Sequence, residues 1–261
     1  MTHAKNFLFT DTKRLVTSPQ FMCSCAAFAI CSIVGILDEI VMLSDSSVFY
    51  LYTVYFYYPF WILCLLFSVI PAITGFFSEW ENCYYRCLVM RTGKKAYAIT
   101  KMISCFVSSA CVVAVGQGLF ILALCARGPV FLPTDIDTLS GSIYEGLING
   151  TDIWQYFVIR ILLQAFGAGF FSVFALFIAT KLENIFVVLA SPIILYYLIE
   201  NLSALFKLSG FLSIPKLLKG ASDIKGGPWL VLLYAGIFFI SITVAVGIAY
   251  YFSLKRRMNN A

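Results

Sequence analysis

Six long intervals without a charged side chain constrain this chain more than any other feature. They lie between Arg14 and Asp38, Asp45 and Glu79, Lys101 and Arg127, Arg160 and Lys181, Glu183 and Glu200, and Lys225 and Lys255, and each is rich in Leu, Ile, Val, Phe and Ala. A helix needs about 20 apolar residues to cross the hydrocarbon of a bilayer. Backbone at that depth must satisfy its own hydrogen bonds, which leaves helices and closed barrels. A barrel would show short alternating strands, and none are legible here. The intervals therefore predict an all-α integral membrane protein with six transmembrane helices, near 19–37, 50–77, 98–126, 157–180, 185–206 and 228–253. The fifth is the least regular, because its uncharged core is short and Pro192 interrupts it early. A kinked span or a half-span with a re-entrant piece would both fit. Only 12% of the 261 residues are charged and 61% are hydrophobic, against roughly 25% charged in soluble domains. One soluble core could not hide that much apolar surface.

The basic residues orient the spans. With the N-terminus inside, cytoplasmic segments hold Lys5, Lys13, Arg14, Arg86, Arg91, Lys94, Lys95, Lys101, Lys181, Lys255, Arg256 and Arg257, while outer segments hold Arg127, Arg160, Lys207, Lys216, Lys219 and Lys225. That asymmetry places both termini in the cytoplasm. The organisation expected is a cytoplasmic N-terminal segment over 1–18, one membrane domain over 19–254 and a short cytoplasmic tail over 255–261. The first apolar run starts only near residue 19 and lacks a clear small-residue cleavage site, so the first span is expected to be retained. Two outer connections are long: a turn-rich segment over 127–156, which includes a weak Asn149-Gly150-Thr151 glycosylation pattern, and a segment over 207–227 suited to short interfacial helices.

Nine cysteines, an odd number, argue against a disulfide framework, and the assigned outer loops hold none. Cys83 and Cys87 stand one helical turn apart, but no further ligand is near and the only histidine is His3. Ordinary weakly polar side chains explain the pair better than a metal does.

The stretch between spans two and three is the most informative. It runs from Ser78-Glu79-Trp80-Glu81-Asn82-Cys83 through Arg86, Arg91, Gly93 and Tyr97 to Lys101. At about 3.6 residues per turn, Trp80, Tyr84, Cys87 and Leu88 share one face, and Glu79, Asn82 and Arg86 another. This predicts an amphipathic helix at the cytoplasmic interface, ended by Thr92-Gly93. A solvated loop obeying the positive-inside rule is the plain alternative, and a docking element for a cytoplasmic partner the sharper one.

The stretch resembles the first intracellular region of permeases in the ABC type-2 exporter family. Glu79, Glu81, Arg86, Arg91, Tyr97 and Lys101 match that arrangement in order and approximate spacing. The polar turn Thr180-Lys181-Leu182-Glu183-Asn184, followed by Pro192, is similar to the family's second cytoplasmic turn. The resemblance implies a permease domain with a cytoplasmic amphipathic coupling helix between spans two and three. It implies two permease subunits, as homo- or heterodimer, in the plasma membrane of a bacterial cell, with two ABC ATPase subunits docked beneath. Glu79, Glu81, Arg86, Arg91, Tyr97, Lys101, Lys181 and Glu183 would then couple the ATPase to the spans. The chain contains no G-x-x-x-x-G-K-[ST] phosphate loop, so ATP and Mg are expected in the partner and no cofactor in this chain.

Other classes lack their chemistry. Ion-coupled carriers place ionisable residues inside their spans, and none lies near the middle of a span here. Gln117 and Gln164 are the main buried polar candidates, and helix–helix hydrogen bonding explains them. There is no Gly-x-Ser-x-Gly elbow and no metal-ligand spacing, so the chain is not expected to be an enzyme. No nucleic-acid partner is expected. Tyr50, Tyr52, Tyr55, Phe56, Tyr57, Tyr58, Phe60 and Trp61 crowd one end of span two, which an interfacial aromatic belt explains. Under the resemblance, Tyr52, Tyr55, Tyr196 and Tyr197 become candidates for gripping an apolar or amphipathic cargo such as a peptide, lipid or drug. The alternative is an accessory or immunity-type membrane protein without transport activity.

Overall fold

The computed structural model describes residues 2–42, 46–132, 135, 144, 147, 153–207, 210, 212–220 and 227–260. These residues form helices and turns, with no strand among them. In chain order the helices are α1 (Thr2–Val16), α2 (Pro19–Val34), α3 (Leu37–Met42), α4 (Val48–Tyr55), α5 (Phe60–Glu81), α6 (Tyr84–Thr92), α7 (Lys94–Cys125), α8 (Ile153–Ala179), α9 (Ile185–Leu205), α10 (Ile214–Leu218) and α11 (Pro228–Asn260). Helices α5, α7, α8, α9 and α11 are each long and apolar enough to cross a membrane. Helix α2 has 16 residues, about 24 Å at 1.5 Å per residue, and α1 joins it at a 51° bend. Counted together, the bent pair makes a sixth candidate. The chain is thus a multi-pass helical membrane protein.

The bend has a local cause. Ser18 caps α2 by accepting from Phe21 N, and Pro19 occupies the first turn, where its missing N–H costs nothing. Helix α1 is not a loose tail. It packs on α7 and more lightly on α5 and α2, and Asp11 and Leu15 are buried.

The expected second span, 50–77, is two helices. Its start is α4, capped by Ser47, and the chain turns through 56–59 before α5 begins at Phe60. Tyr58 precedes Pro59, and the proline ring disfavours helical backbone at the residue before it. Phe56 N and Tyr57 N close tighter turns onto Thr53 O and Val54 O. The fifth span resolves the other way. Helix α9 runs unbroken from Ile185 to Leu205 with Pro192 inside it, and Asn184 caps it through Phe186 N. In the expected interfacial segment 207–227, α10 is a single turn whose Ile214, Pro215, Leu217 and Leu218 are buried. The glycosylation pattern at 149–151 and most of 133–152 lie outside the described residues.

Helix α8 is the hub, touching α5, α7, α9, α10 and α11. Its Gly167-Ala168-Gly169 run admits large neighbours. A Cβ on Gly167 would meet Leu218 of α10, and one on Gly169 would lie 2.4 Å from the Phe106 ring of α7. Small residues that let helices approach are the usual basis of packing in lipid, where burial alone gives no advantage. The interior falls into two clusters. One gathers Tyr52, Phe120, Phe157, Phe171 and Tyr196. The other gathers Ile73, Phe76, Tyr97, Leu176 and Tyr250 at the end that carries most basic residues.

Candidate functional site

The basic end holds a buried charge cluster built by three helices. Helix α1 supplies Asp11 and Arg14, the last turns of α5 supply Glu79, and one face of α7 supplies Tyr97, Lys101 and Ser104. The α7 set follows the helical repeat at i, i+4 and i+7. Lys101 Nζ donates to Asp11 Oδ1 at 2.8 Å and to Glu79 Oε1 at 2.6 Å. Ser104 Oγ donates to Asp11 Oδ2 at 2.7 Å, and Tyr97 Oη to Glu79 Oε2 at 3.1 Å. Arg14 Nη2 reaches Asp11 Oδ1 at 3.1 Å and also bonds Glu79 Oε1. Two carboxylates thus face two cations, and all four carboxylate oxygens accept hydrogen bonds. Lys101 is 2% exposed and Glu79 3%, so neither charge has water to fall back on. Removing an ion from water costs several kcal/mol, and such a pair survives only with close geometry and satisfied lone pairs. The cluster meets both conditions.

Only Arg14 opens toward solvent, with its side chain 47% exposed. It borders a cleft of about 380 Å³ between α1 and α6, lined by Phe7, Thr10, Asp11, Arg14, Tyr84, Leu88, Arg91 and Thr92. Among the described residues no group of three or more His, Cys, Asp or Glu side chains is arranged to hold a metal.

The short helix after α5 is present, but its faces differ from the expected ones. Trp80 belongs to α5, and the backbone turns at Cys83, whose φ is +54°. That left-handed residue rotates the register, so Tyr85 and Leu88 are buried while Tyr84 and Cys87 are exposed. Trp80 and Tyr85 stack face to face, with centroids 4.0 Å apart and planes at 7°. Arg86 Nε donates to Tyr85 Oη at 3.3 Å, which holds the Arg86 guanidinium more firmly protonated than usual. Gly93 ends α6 and starts α7 at φ +83°, a conformation open to glycine at little cost.

The expected coupling residues therefore separate into two groups. Glu79, Tyr97 and Lys101 are interior and face one another. Glu81, Arg86 and Arg91 are exposed around α6, and Lys181 and Glu183 are exposed on the turn between α8 and α9. Arg257 of α11 joins the two exposed regions. Its guanidinium lies 4.2 Å over the Trp80 ring, Nη1 donates to Ala179 O at 2.7 Å, and Nη2 lies 3.5 Å from Glu183 Oε1.

The four tyrosines expected along a cargo path also separate. Tyr52, Tyr55 and Tyr196 are buried inside the chain's own packing, whereas Tyr197 is 44% exposed on α9. Tyr52 Oη donates to Gln117 Oε1 at 3.1 Å, and Gln117 Nε2 donates to Gln164 Oε1, so a polar thread links α4, α7 and α8. Tyr55 Oη donates to Cys64 Sγ at 3.2 Å. Tyr196 packs edge-on to Trp61 at 5.1 Å and donates to Glu200 at 3.3 Å.

Asp11 and Arg14 are not among the site residues expected from the sequence, in which 1–18 reads as a cytoplasmic N-terminal segment. Phe7, Asp11 and Leu15 recur at four-residue intervals, and that repeat was the available signal for a packed helix carrying a carboxylate inward. Arg160, expected in an outer segment, is buried instead. It lies 4.0 Å over the Phe56 ring and donates to Lys219 O. Neither a family model, nor a curated protein, nor a solved structure matches the chain.

Proposed function

We propose that this chain is the permease subunit of an ATP-driven exporter of the ABC type-2 kind. In this reading α2, α5, α7, α8, α9 and α11 are six spans, both termini lie in the cytoplasm of a plasma membrane, and α1 lies along the interface. A second permease subunit completes the pathway, and a separate ATPase binds ATP and Mg and docks on the basic end. The cargo is apolar or amphipathic.

One observation carries the reading. The exposed face of α6 and the exposed turn between α8 and α9 are tied together through Tyr85, Trp80 and Arg257. A partner pressing on that surface would move α5 through the Trp80–Tyr85 stack. It would move α7 and α1 through the Glu79–Lys101–Asp11 pairing. Glu81, Arg86, Arg91, Lys181 and Glu183 act as surface contacts in this scheme. Glu79, Tyr97 and Lys101 act as the internal link.

Reconstitution tests it. The chain should co-purify from its native membrane with a nucleotide-binding subunit and raise that subunit's ATP hydrolysis. Reversing Arg86 and Arg91 to Glu should abolish the stimulation without lowering the thermal midpoint of the chain itself. An accessory protein would instead leave ATP hydrolysis indifferent to its presence, and that result would remove the exporter reading.

A further inference from the structure

A second feature of the basic end does not depend on transport. Between the end of α8, the turn that follows it and the last turns of α11 lies a cleft of about 890 Å³. Trp80, Phe177, Thr180, Lys181, Arg256 and Arg257 line it, together with Glu183, Ala249, Phe252 and Ser253. Three cations thus face one carboxylate, whose side chain is 90% exposed at the rim.

Two of the cations are held in place. Lys181 Nζ lies 4.7 Å from the Phe177 ring centroid. Arg257 is fixed over Trp80 and bonded to the Ala179 carbonyl. The hydroxyls of Thr180 and Ser253 share a hydrogen bond of 2.6 Å in the cleft. Such a cluster of cations suits a phosphodiester, whose oxygens accept from guanidinium and ammonium donors.

The second half of the ligand is written along α11. Ile240, Val244, Ile248 and Phe252 are all exposed, at 49%, 48%, 55% and 63%. Spaced four apart, they form one stripe that runs along the helix into the cleft at Phe252. A hydrophilic phosphate compound would have no use for that stripe. A lipid needs both parts, a charged recess where the span ends and an apolar track beside it. Basic pockets between membrane helices bind anionic headgroups by this combination.

We propose that this cleft is a site for an anionic phospholipid, with the phosphate among Lys181, Arg256 and Arg257 and the acyl chains along the Ile240–Phe252 stripe. The test uses the full chain in nanodiscs or mixed micelles, with phosphatidylglycerol or phosphatidylcholine, and retained lipid is read by native mass spectrometry. Phosphatidylglycerol should be retained selectively. Replacing Lys181 and Arg256 together with Gln (K181Q/R256Q) should weaken its retention roughly tenfold or more. Replacing Lys13 and Lys95 with Gln (K13Q/K95Q) removes as many exposed charges from the same end outside the cleft, and should change retention less than twofold. Equal losses in the two pairs would reduce the effect to general attraction and overturn the site. So would equal retention of the two lipids, or displacement of phosphatidylglycerol by millimolar glycerophosphate alone, which would mark a free-phosphate site. A second readout needs no charge variant. Phosphatidylglycerol brominated on its chains should quench tryptophan fluorescence more than brominated phosphatidylcholine, and Trp80→Phe should erase the difference. Identical quenching by the two lipids in the unmodified chain would equally overturn the proposal.

Discussion

Lys101 and Glu79 meet at 2.6 Å with almost no exposure of either side chain, which fastens α7 to the last turns of α5 inside the protein. The pair is not isolated, because Asp11 holds the same ammonium from the α1 side at 2.8 Å. Truncating one partner of a buried pair leaves the other charge stranded and costs about 3–5 kcal/mol. Lys101→Met should therefore lower the thermal midpoint sharply in detergent, and Glu79→Gln somewhat less, because the single amide oxygen can still accept from Lys101. The double variant should lose less than the sum of the two, by about 1 kcal/mol or more. Strict additivity would show that the two side chains do not interact in solution.

Two glycines of α7 make a second, sharper comparison. A Cβ on Gly116 would stand 2.7 Å from Phe28 of α2, whereas one on Gly118 meets nothing within 4 Å. Overpacking a tight helix contact costs about 1–3 kcal/mol, while an unobstructed Gly→Ala change in a helix gains about 0.5–1 kcal/mol. Gly116→Ala should destabilise and Gly118→Ala should not, although the sites are two residues apart in one helix. Adding Phe28→Leu should recover part of the Gly116→Ala loss. Equal midpoints for the two alanine variants would mean that α2 does not sit against α7 at this point.

The long apolar helices are readable because charge-free length is a property of consecutive residues. What was unreadable depended on backbone events or distant partners. The break at 56–59 hid inside an unbroken apolar and aromatic run, where Pro59 was the only mark. The left-handed turn at Cys83 leaves Tyr84 and Cys87 of the expected α6 face exposed, keeps Leu88 buried and brings Tyr85 in beside it, and no side-chain periodicity encodes such a turn. Glu79, Tyr97 and Lys101 belong to one expected set with Glu81, Arg86 and Arg91, yet within that set these three turn inward, toward Asp11, a residue 90 positions from Lys101. The Gln117–Gln164 bond is the reverse case. Two lone amides in apolar helices have few options other than each other, and they take that one.

The tyrosines divide by burial, and the division can be measured. Tyr52 and Tyr196 have no exposed surface, while Tyr197 is 44% exposed. Replacing a large buried aromatic with alanine costs about 3–5 kcal/mol, and an exposed substitution stays within about 0.5 kcal/mol. Tyr52→Ala and Tyr196→Ala should unfold at markedly lower temperature, and Tyr197→Ala at an unchanged one. Among the four candidates, only Tyr197 should then alter cargo handling without altering stability. A stable Tyr52→Ala variant with changed export would return Tyr52 to the pathway.

The orientation of the molecule rests on basic residues, and two cysteines make it testable. Cys83 and Cys87 are exposed beside α6, whereas Cys64 and Cys105 are buried. Cys23 is exposed within α2, on a helix face turned to lipid in the membrane reading, where an aqueous reagent does not reach. With the positive end in the cytoplasm, and with half-buried Cys125 at the opposite end of α7 replaced by Ser, a membrane-impermeant maleimide should leave the chain unlabelled in intact cells. In inverted vesicles it should add two labels, and Cys83→Ser with Cys87→Ser should remove both. Labelling of intact cells that disappears in the double serine variant would place the α6 end outside. It would also deny that surface to any ATP-hydrolysing partner, because the nucleotide is supplied from the cytoplasm.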